Sequence, residues 1–400
     1  MLEIPNSQKE KEESIYRNPI EETLLFQSMR ERLDEGGQLF YAGIVDGLKP
    51  LLALPFEKNW ALYLCKNEER AKEVLQDCKA FSDNAYYYPP KDYLFYKADT
   101  RGHYILRERG ECLRHLLEEE SGIVVTTFPA LMEKMEGKNA FRVSLFTVRV
   151  GMNIELSALQ EKLSEMGYKR TEQIEMRGEY SIRGGIFDVF SNQMEDPVRI
   201  EFFGEEVDSI RYFSLETQRS LEQIEEAKLY PAGERGFSSS LKAFSLLDYF
   251  PENALVFLDE PQRLMEEAER VEQEFLNFFE ANTEEEEKVE LFSPQTLLTE
   301  IGERAFAAFS TLGTGLDSLV DVADARKFTE KSVSSKDIPS YGKQPGLFQE
   351  DLKRLFKEKY RVLLYSPSTL RASRLAERLR EEGISAYCPD EFSLPKEGEK

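Results

Sequence analysis

Residues Arg177–Arg219 read RGEYSIRGGIFDVFSNQMEDPVRIEFFGEEVDSIRYFSLETQR. Three runs in this stretch alternate apolar and polar residues: Tyr180–Phe190, Val198–Phe203 and Val207–Tyr212. They are broken by Gly184-Gly185, by Asn192–Pro197 and by Gly204-Glu205-Glu206. Short alternating runs separated by turn-forming residues predict an antiparallel meander. Strand side chains alternate with period two, so Val198, Ile200 and Phe202 share one face of the middle run, and Arg199, Glu201 and Phe203 share the other. The first face is a core. The second places an aromatic among charges, and Arg183 can stand on it as well. Arginines flanking a solvent-facing aromatic have the composition of a protein-binding hot spot. The alternative on these residues alone is that Phe203 turns inward at a strand end and both arginines are simply solvated.

Outward from the meander, the order of elements changes. A helix over Glu21–Leu33 is followed by strand Gln38–Ala42, buried strand Trp60–Cys65, helix Asn67–Phe81, helix Tyr104–Glu120, strand Gly122–Thr127 and helix Phe128–Met135. Strand and helix alternate, which predicts a parallel α/β sheet. From about residue 140 an extended stretch, Phe141–Met152, leads to a helix with Leu156, Leu159, Leu163 and Met166 on one stripe, and then to the meander. The α/β pattern resumes near residue 230 with a strand at Ala254–Leu258. The expected organisation is therefore an α/β domain in two parts, 1–140 and 230–330, with a small α+β domain inserted at 141–229. A Ser-, Asp- and Pro-containing linker is expected over 331–343, and a short α/β unit over 344–400. In that last unit Arg361–Tyr365 and Ile384–Tyr387 read as strands. It ends in KEGEK, which suggests an excised fragment.

The composition narrows the function. Four hundred residues exceed one ordinary core. A net charge of -23 and a pI near 4.8 argue against a dedicated nucleic-acid binder, whose affinity rests on clustered Lys and Arg. Cys65, Cys78, Cys112 and Cys388 have no zinc-like spacing, and His103 and His115 are the only histidines, so structural zinc is not expected. Reduced thiols, a polar amino terminus and no membrane-length apolar run point to a cytoplasmic protein without a membrane partner. Glutamate-rich residues Met265–Glu290 read as a solvated helix and loop.

One loop stands where a phosphate-binding loop would. Gly43–Pro50, GIVDGLKP, lies between a strand and the apolar helix start Leu51–Leu54. A working loop reads GxxxxGK[ST]: its amides cradle phosphates, its lysine reaches the terminal ones and its hydroxyl holds magnesium. With Gly47 as the second glycine, the first position is Ala42, the lysine position is Leu48 and the hydroxyl position is Lys49. All three functional positions fail. Leu255–Glu260 resembles the strand that carries the magnesium and water-activating carboxylates of such enzymes, here Asp259 and Glu260. Without a lysine and hydroxyl opposite them they read as a remnant. The other reading of GIVDG is a turn with no ancestry in nucleotide binding.

GEYSIRGGIFDVF, PVRIEFFGEEVDSIRYF and TQRS together resemble the amino-terminal region of the bacterial transcription-repair coupling factors, the Mfd family, and more weakly so does nearly all of the chain. That region is similar to the excision-repair subunit UvrB, an active ATPase that keeps its phosphate-binding loop. The failed loop separates the two, as does the aromatic segment Ala85–Tyr96, which leaves no room for the DNA-clamping hairpin of UvrB. The fold implied is a degenerate, UvrB-like P-loop NTPase domain of parallel α/β type with an inserted small α+β domain. The resemblance implies an adaptor that recruits UvrA to stalled RNA polymerase, with Arg183, Arg199 and Phe203 as the partner-binding positions. The arginines are expected to grip carboxylates bidentately, and Phe203 to fill a pocket. No cofactor and no catalysis are expected in this fragment. ATP, magnesium, double-stranded DNA and RNA polymerase belong to the translocase domains of the longer parent, against which this module packs and whose motor it restrains. The rival readings are an active UvrB-like DNA-binding ATPase and a purely structural part of the motor.

Overall fold

The computed structural model describes residues 20–21, 23–91, 99–118, 121–139, 145–191, 194–232, 243–281, 291–339, 341, 345–360, 362–364 and 368–388. The chain divides into one compact unit over 28–334 and a second formed by 335–400 with the first 27 residues.

The larger unit is built on a seven-stranded sheet. Its strands are β1 (Gln38–Ala42), β2 (Trp60–Cys65), β3 (Ala85–Tyr88) and β4 (Gly122–Thr127), then, beyond the insertion, β13 (Leu255–Asp259), β14 (Phe306–Ser310) and β15 (Phe328–Ser332). Their order is β15-β1-β14-β13-β2-β4-β3, every pair parallel. WALYLC, GIVVTT, LVFLD and FAAFS are buried at every residue, as strands covered on both faces must be. β1 lies between β14 and β15, so the sheet closes only when the chain returns from the insertion. The helices placed around it include α1 (Leu24–Asp34), α2 (Lys49–Ala53), α3 (Glu68–Lys79), α4 (Asp99–Glu118), α5 (Phe128–Met132), α7 (Pro261–Ala281), α8 (Pro294–Gly302) and α9 (Leu316–Val320). Asn67 caps α3 by accepting from the Arg70 amide at 3.0 Å, and Thr127 and Ser293 cap α5 and α8 in the same way. Beside β3, Arg109 lies fully buried over the Tyr88 ring, 4.0 Å from its centroid. It pairs with Glu133 at 2.8 Å and donates to the Pro89 carbonyl at 2.7 Å.

The inserted domain is reached through β5 (Phe146–Arg149) and left through β12 (Glu226–Leu229), which pair antiparallel with Phe146 opposite Leu229. Between them come α6 (Leu156–Glu165), β6 (Lys169–Arg170), β7 (Glu179–Arg183), β8 (Ile186–Phe190), β9 (Val198–Phe203), β10 (Glu206–Phe213) and β11 (Ser220–Ile224). The last six form one sheet in the order β11-β10-β9-β8-β7-β6. Tyr180, Phe187, Val189, Val198, Ile200, Val207 and Ile210 turn to one face and share a core with Leu159, Leu163 and Met166. Each such buried side chain contributes about 1.5–3 kcal/mol.

Three expectations change. Lys331 and Ser332, placed by composition in a linker, are the end of β15, in register with Tyr41 and Ala42; an edge strand carries polar residues on its open side, which makes it look like a linker. In the last unit, α10 (Pro345–Lys357) and α11 (Thr369–Glu381) bury Leu352, Leu379 and Ile384. The described residues 362–364 and 384–387, expected as strands, form no ladder; Val362 and Ile384 join the core of the helix pair instead. β3, β6, β11, β12 and β14 were not anticipated as strands. The aromatic segment beyond Lys91, including Tyr93 and Tyr96, lies outside the described residues.

Candidate functional site

Two groups of sequence-selected residues are brought together, at different places. The first lies at the carboxyl ends of β1 and β13. Lys49 opens α2, and its side chain is 0% exposed. Its ammonium donates to Asp46 Oδ1 at 2.6 Å, Asp259 Oδ1 at 2.9 Å and Glu260 Oε1 at 2.6 Å. Arg70, from the first turn of α3, donates through Nε to Asp259 Oδ2 at 2.7 Å and through Nη2 to the Asp46 carbonyl at 2.9 Å. The Thr311 amide donates to Glu260 Oε1 at 2.8 Å. Burial alone pushes the lysine pKa down, but the surrounding carboxylates outweigh it and hold it above its ordinary value. Burial pushes the Asp46 and Glu260 carboxyls up, but Lys49, joined by Arg70 and Arg263 at Asp46 and by Thr311 at Glu260, outweighs it and holds both below their ordinary values. The three carboxylates have one oxygen each within 4.8 Å of one another, a spacing suited to a cation. The cation they touch is the chain's own ammonium.

Ala42, Gly47 and Leu48 take no part in this network's side-chain bonds. The glycine the loop does need is Gly43, at φ +85°, where a Cβ would lie 2.0 Å from the Val333 carbonyl oxygen. That closeness serves packing against the segment after β15. Glu260 is itself held at φ 59°, an uncommon conformation for a non-glycine residue, and its amide donates to the Phe309 carbonyl at 2.8 Å.

The second group is the outer face of the meander sheet. Asp188, Arg199 and Arg211 are opposite one another on β8, β9 and β10. Arg199 grips Asp188 with both arms of its fork, Nε to Oδ1 at 2.7 Å and Nη2 to Oδ2 at 2.9 Å. Arg183 donates to the same Oδ2 at 2.7 Å. Arg199 also lies over the Phe213 ring, 4.3 Å from its centroid, and meets Gln218 Oε1 at 3.3 Å. Glu201 is held by Arg211 through both oxygens and by Ser209. Phe203, the last residue of β9, is 83% exposed. The inward-turned alternative for Phe203 is thereby excluded. The arginines differ: the Arg183 side chain is 47% exposed and that of Arg199 only 13%.

Asp188 and Arg70 were missed. Asp188 carries a readable signal, a carboxylate flanked by Phe187 and Val189 in a strand, in phase with the polar face. Arg70 carries none, since its role depends on α3 crossing the end of β13.

Residues 136–234 match the family model of the UvrB interaction domain, a segment that holds the whole meander sheet. The transcription-repair-coupling factor of Bacillus subtilis (strain 168) is 26% identical over 439 residues, covering 93% of this chain and 37% of its own length. That of Staphylococcus aureus (strain MRSA252) is 33% identical over 175 residues, 43% of this chain and 15% of its own. That of Staphylococcus epidermidis (strain ATCC 12228) is 30% identical over 230 residues, 55% and 19%. The chain thus spans little more than a third of the longest-matched relative and less of the others. The resemblance to the amino-terminal, UvrB-like region of the transcription-repair-coupling factors holds along nearly the whole chain, with a UvrB interaction domain at 136–234 as its best-marked part.

Proposed function

We propose that this chain is the adaptor module of a cytoplasmic transcription-coupled repair factor, and that it recruits the excision-repair protein UvrA through the outer face of the meander sheet, at Arg183, Arg199 and Phe203. The observation that carries the reading is Phe203: a large apolar side chain left 83% exposed at the end of a charge-paired face, inside the segment that matches the UvrB interaction domain. An exposed aromatic flanked by arginines has the composition of an interface hot spot. In the longer parent, the remaining domains cover this face and the module restrains an ATP-driven DNA translocase that acts on stalled RNA polymerase. The test is calorimetric titration of the chain with UvrA. A complex lost on Phe203→Ala supports the adaptor; a folded chain that forms none, or one indifferent to Phe203, rejects it in favour of a structural part of the motor.

The second half of the proposal is that the fragment does no nucleotide chemistry. The UvrB-like fold implies ATP and magnesium, and the residues at the expected site do not fit them. Leu48 stands where a phosphate-reaching lysine belongs, and the carboxylates that would hold the metal are bonded to Lys49. Fluorescent ATP with magnesium is expected not to bind; micromolar affinity restores the ATPase reading.

A further inference from the structure

We infer that the outer face meets its partner through Arg183 and Phe203, while Arg199 acts at one remove, as half of a mount, centred on Asp188, that holds Arg183 in position. The inference rests on the reading of this face as the UvrA-binding surface and divides the labour within it.

Asp188 is nearly inaccessible, its side chain 3% exposed, yet it accepts from two guanidinium groups. Arg199 gives it the planar two-bond grip that arginine makes with a carboxylate. The same guanidinium lies over Phe213 and is flanked by Gln218. Little of it is left to reach outward. Arg183 gives Asp188 one arm, Nη2, and among the described residues its Nε and Nη1 meet no other acceptor. A guanidinium carries five N–H donors, so Arg183 keeps an outward edge able to take a second carboxylate.

The neighbours support this division. Glu201, two strands from Arg183 on the same face, is taken up by Arg211 and Ser209 and does not compete for Arg183. The Gly185 carbonyl accepts from the Phe202 amide at 2.8 Å, which ties the turn after Arg183 to the strand end that bears Phe203. A long arginine normally loses rotamer freedom when it binds; one already pinned by Asp188 loses less. Asp188 also cancels one of the two positive charges. The face then offers one cation and one aromatic, which suits a protein surface with a carboxylate beside an apolar pocket and suits a polyphosphate poorly.

The experiment titrates UvrA with the full chain carrying Arg183→Ala, Phe203→Ala, Asp188→Asn or Arg199→Ala, and with Asp188→Asn and Arg199→Ala combined. The first two are expected to weaken binding tenfold or more, and the next two severalfold. The combined variant is expected to bind no worse than Asp188→Asn alone. An Arg199→Ala loss that persists in full in the Asp188→Asn background overturns the inference, since Arg199 then touches the partner itself. A second readout needs no UvrA: Arg183 Nε relaxation measured by NMR on the free chain. It is expected to show an ordered side chain that becomes mobile in Asp188→Asn. An Arg183 equally mobile in both overturns the mount, whereas absence of any wild-type complex rejects only the UvrA reading. If Asp188→Asn alone unfolds the domain, Asp188→Asn with Arg199→Gln leaves no buried charge unpaired, only the half-exposed Arg183, and the same NMR comparison decides.

Discussion

Lys49→Met removes an ammonium and keeps most of the apolar stem. In the native chain that ammonium is bonded to Asp46, Asp259 and Glu260, and two of those carboxylates are buried or nearly so, with side chains 2% and 12% exposed. Taking one partner out of a buried ion pair costs about 3–5 kcal/mol, because the remaining charge is left in a poor solvent. Here the loss falls at the low end. Arg70 and Tyr63 still hold Asp259 Oδ2, Thr311 still donates to Glu260, and Asp46 can turn to water. The expected destabilisation at neutral pH is therefore about 3 kcal/mol, or a melting point lowered by roughly 5 °C for a unit of this size. Trp60, the single tryptophan, is buried at the edge of the main sheet's core and reports the unfolding of that unit by fluorescence. The pH dependence has a definite sign. Asp46 and Glu260 have depressed folded pKa values, so their contribution is full above the unfolded carboxylate range, about 4, and is lost as the pH falls through the folded values. The gap between wild type and variant must narrow on going from pH 7 toward pH 3. A Lys49→Met protein within about 0.5 kcal/mol of wild type at pH 7, or a gap that widens in acid, refutes the account.

Gly43→Ala places a Cβ about 2 Å from the Val333 carbonyl at a φ that disfavours side chains, so a loss of at least ~2 kcal/mol is expected in urea unfolding, whereas Gly47→Ala, with open space around it, is expected to change stability by less than ~1 kcal/mol. Arg109→Met removes the guanidinium 2.8 Å from buried Glu133 and is expected to cost about 3–5 kcal/mol, measured by the same fluorescence. Burial pushes the Cys78 thiol up to about 12 and raises Cys65 and Cys112 as well, and all three are buried, so a thiol reagent at pH 8 is expected to label only Cys388 in the folded chain and all four cysteines in denaturant.

The parallel sheet was legible because WALYLC and GIVVTT are continuous apolar runs and the turns around them are polar. The meander was legible because VRIEFF alternates cleanly, and its polar face emerged with the right residues on it. Short strands escaped. FAAFS is as apolar as its neighbours but carries two alanines and follows a helix closely, and FTEKS has the composition of a loop. Pairing with β1 makes it a strand, and pairing is a property of the whole sheet. The mismatch of GIVDGLKP to a phosphate-binding loop was legible at Ala42, Leu48 and Lys49. The ion-pair network at that place was not, since the bonds from Lys49 to Asp259 and from Arg70 to Asp259 span 210 and 189 positions. Likewise Arg183 and Arg199 could be placed on one polar face, but their shared partner, Asp188, emerges only when three strands are side by side.

The paired strands β5 and β12 have a consequence for how such a chain can be assembled. Phe146 and Leu229 are cross-strand neighbours, so the points where the small domain joins the rest are adjacent in space. To the larger sheet, everything between them is equivalent to a hairpin turn, and the entropy of closing it is that of two strand ends already side by side. A cassette with such ends can be lengthened, exchanged or grafted between hosts without re-registering the seven strands that flank it.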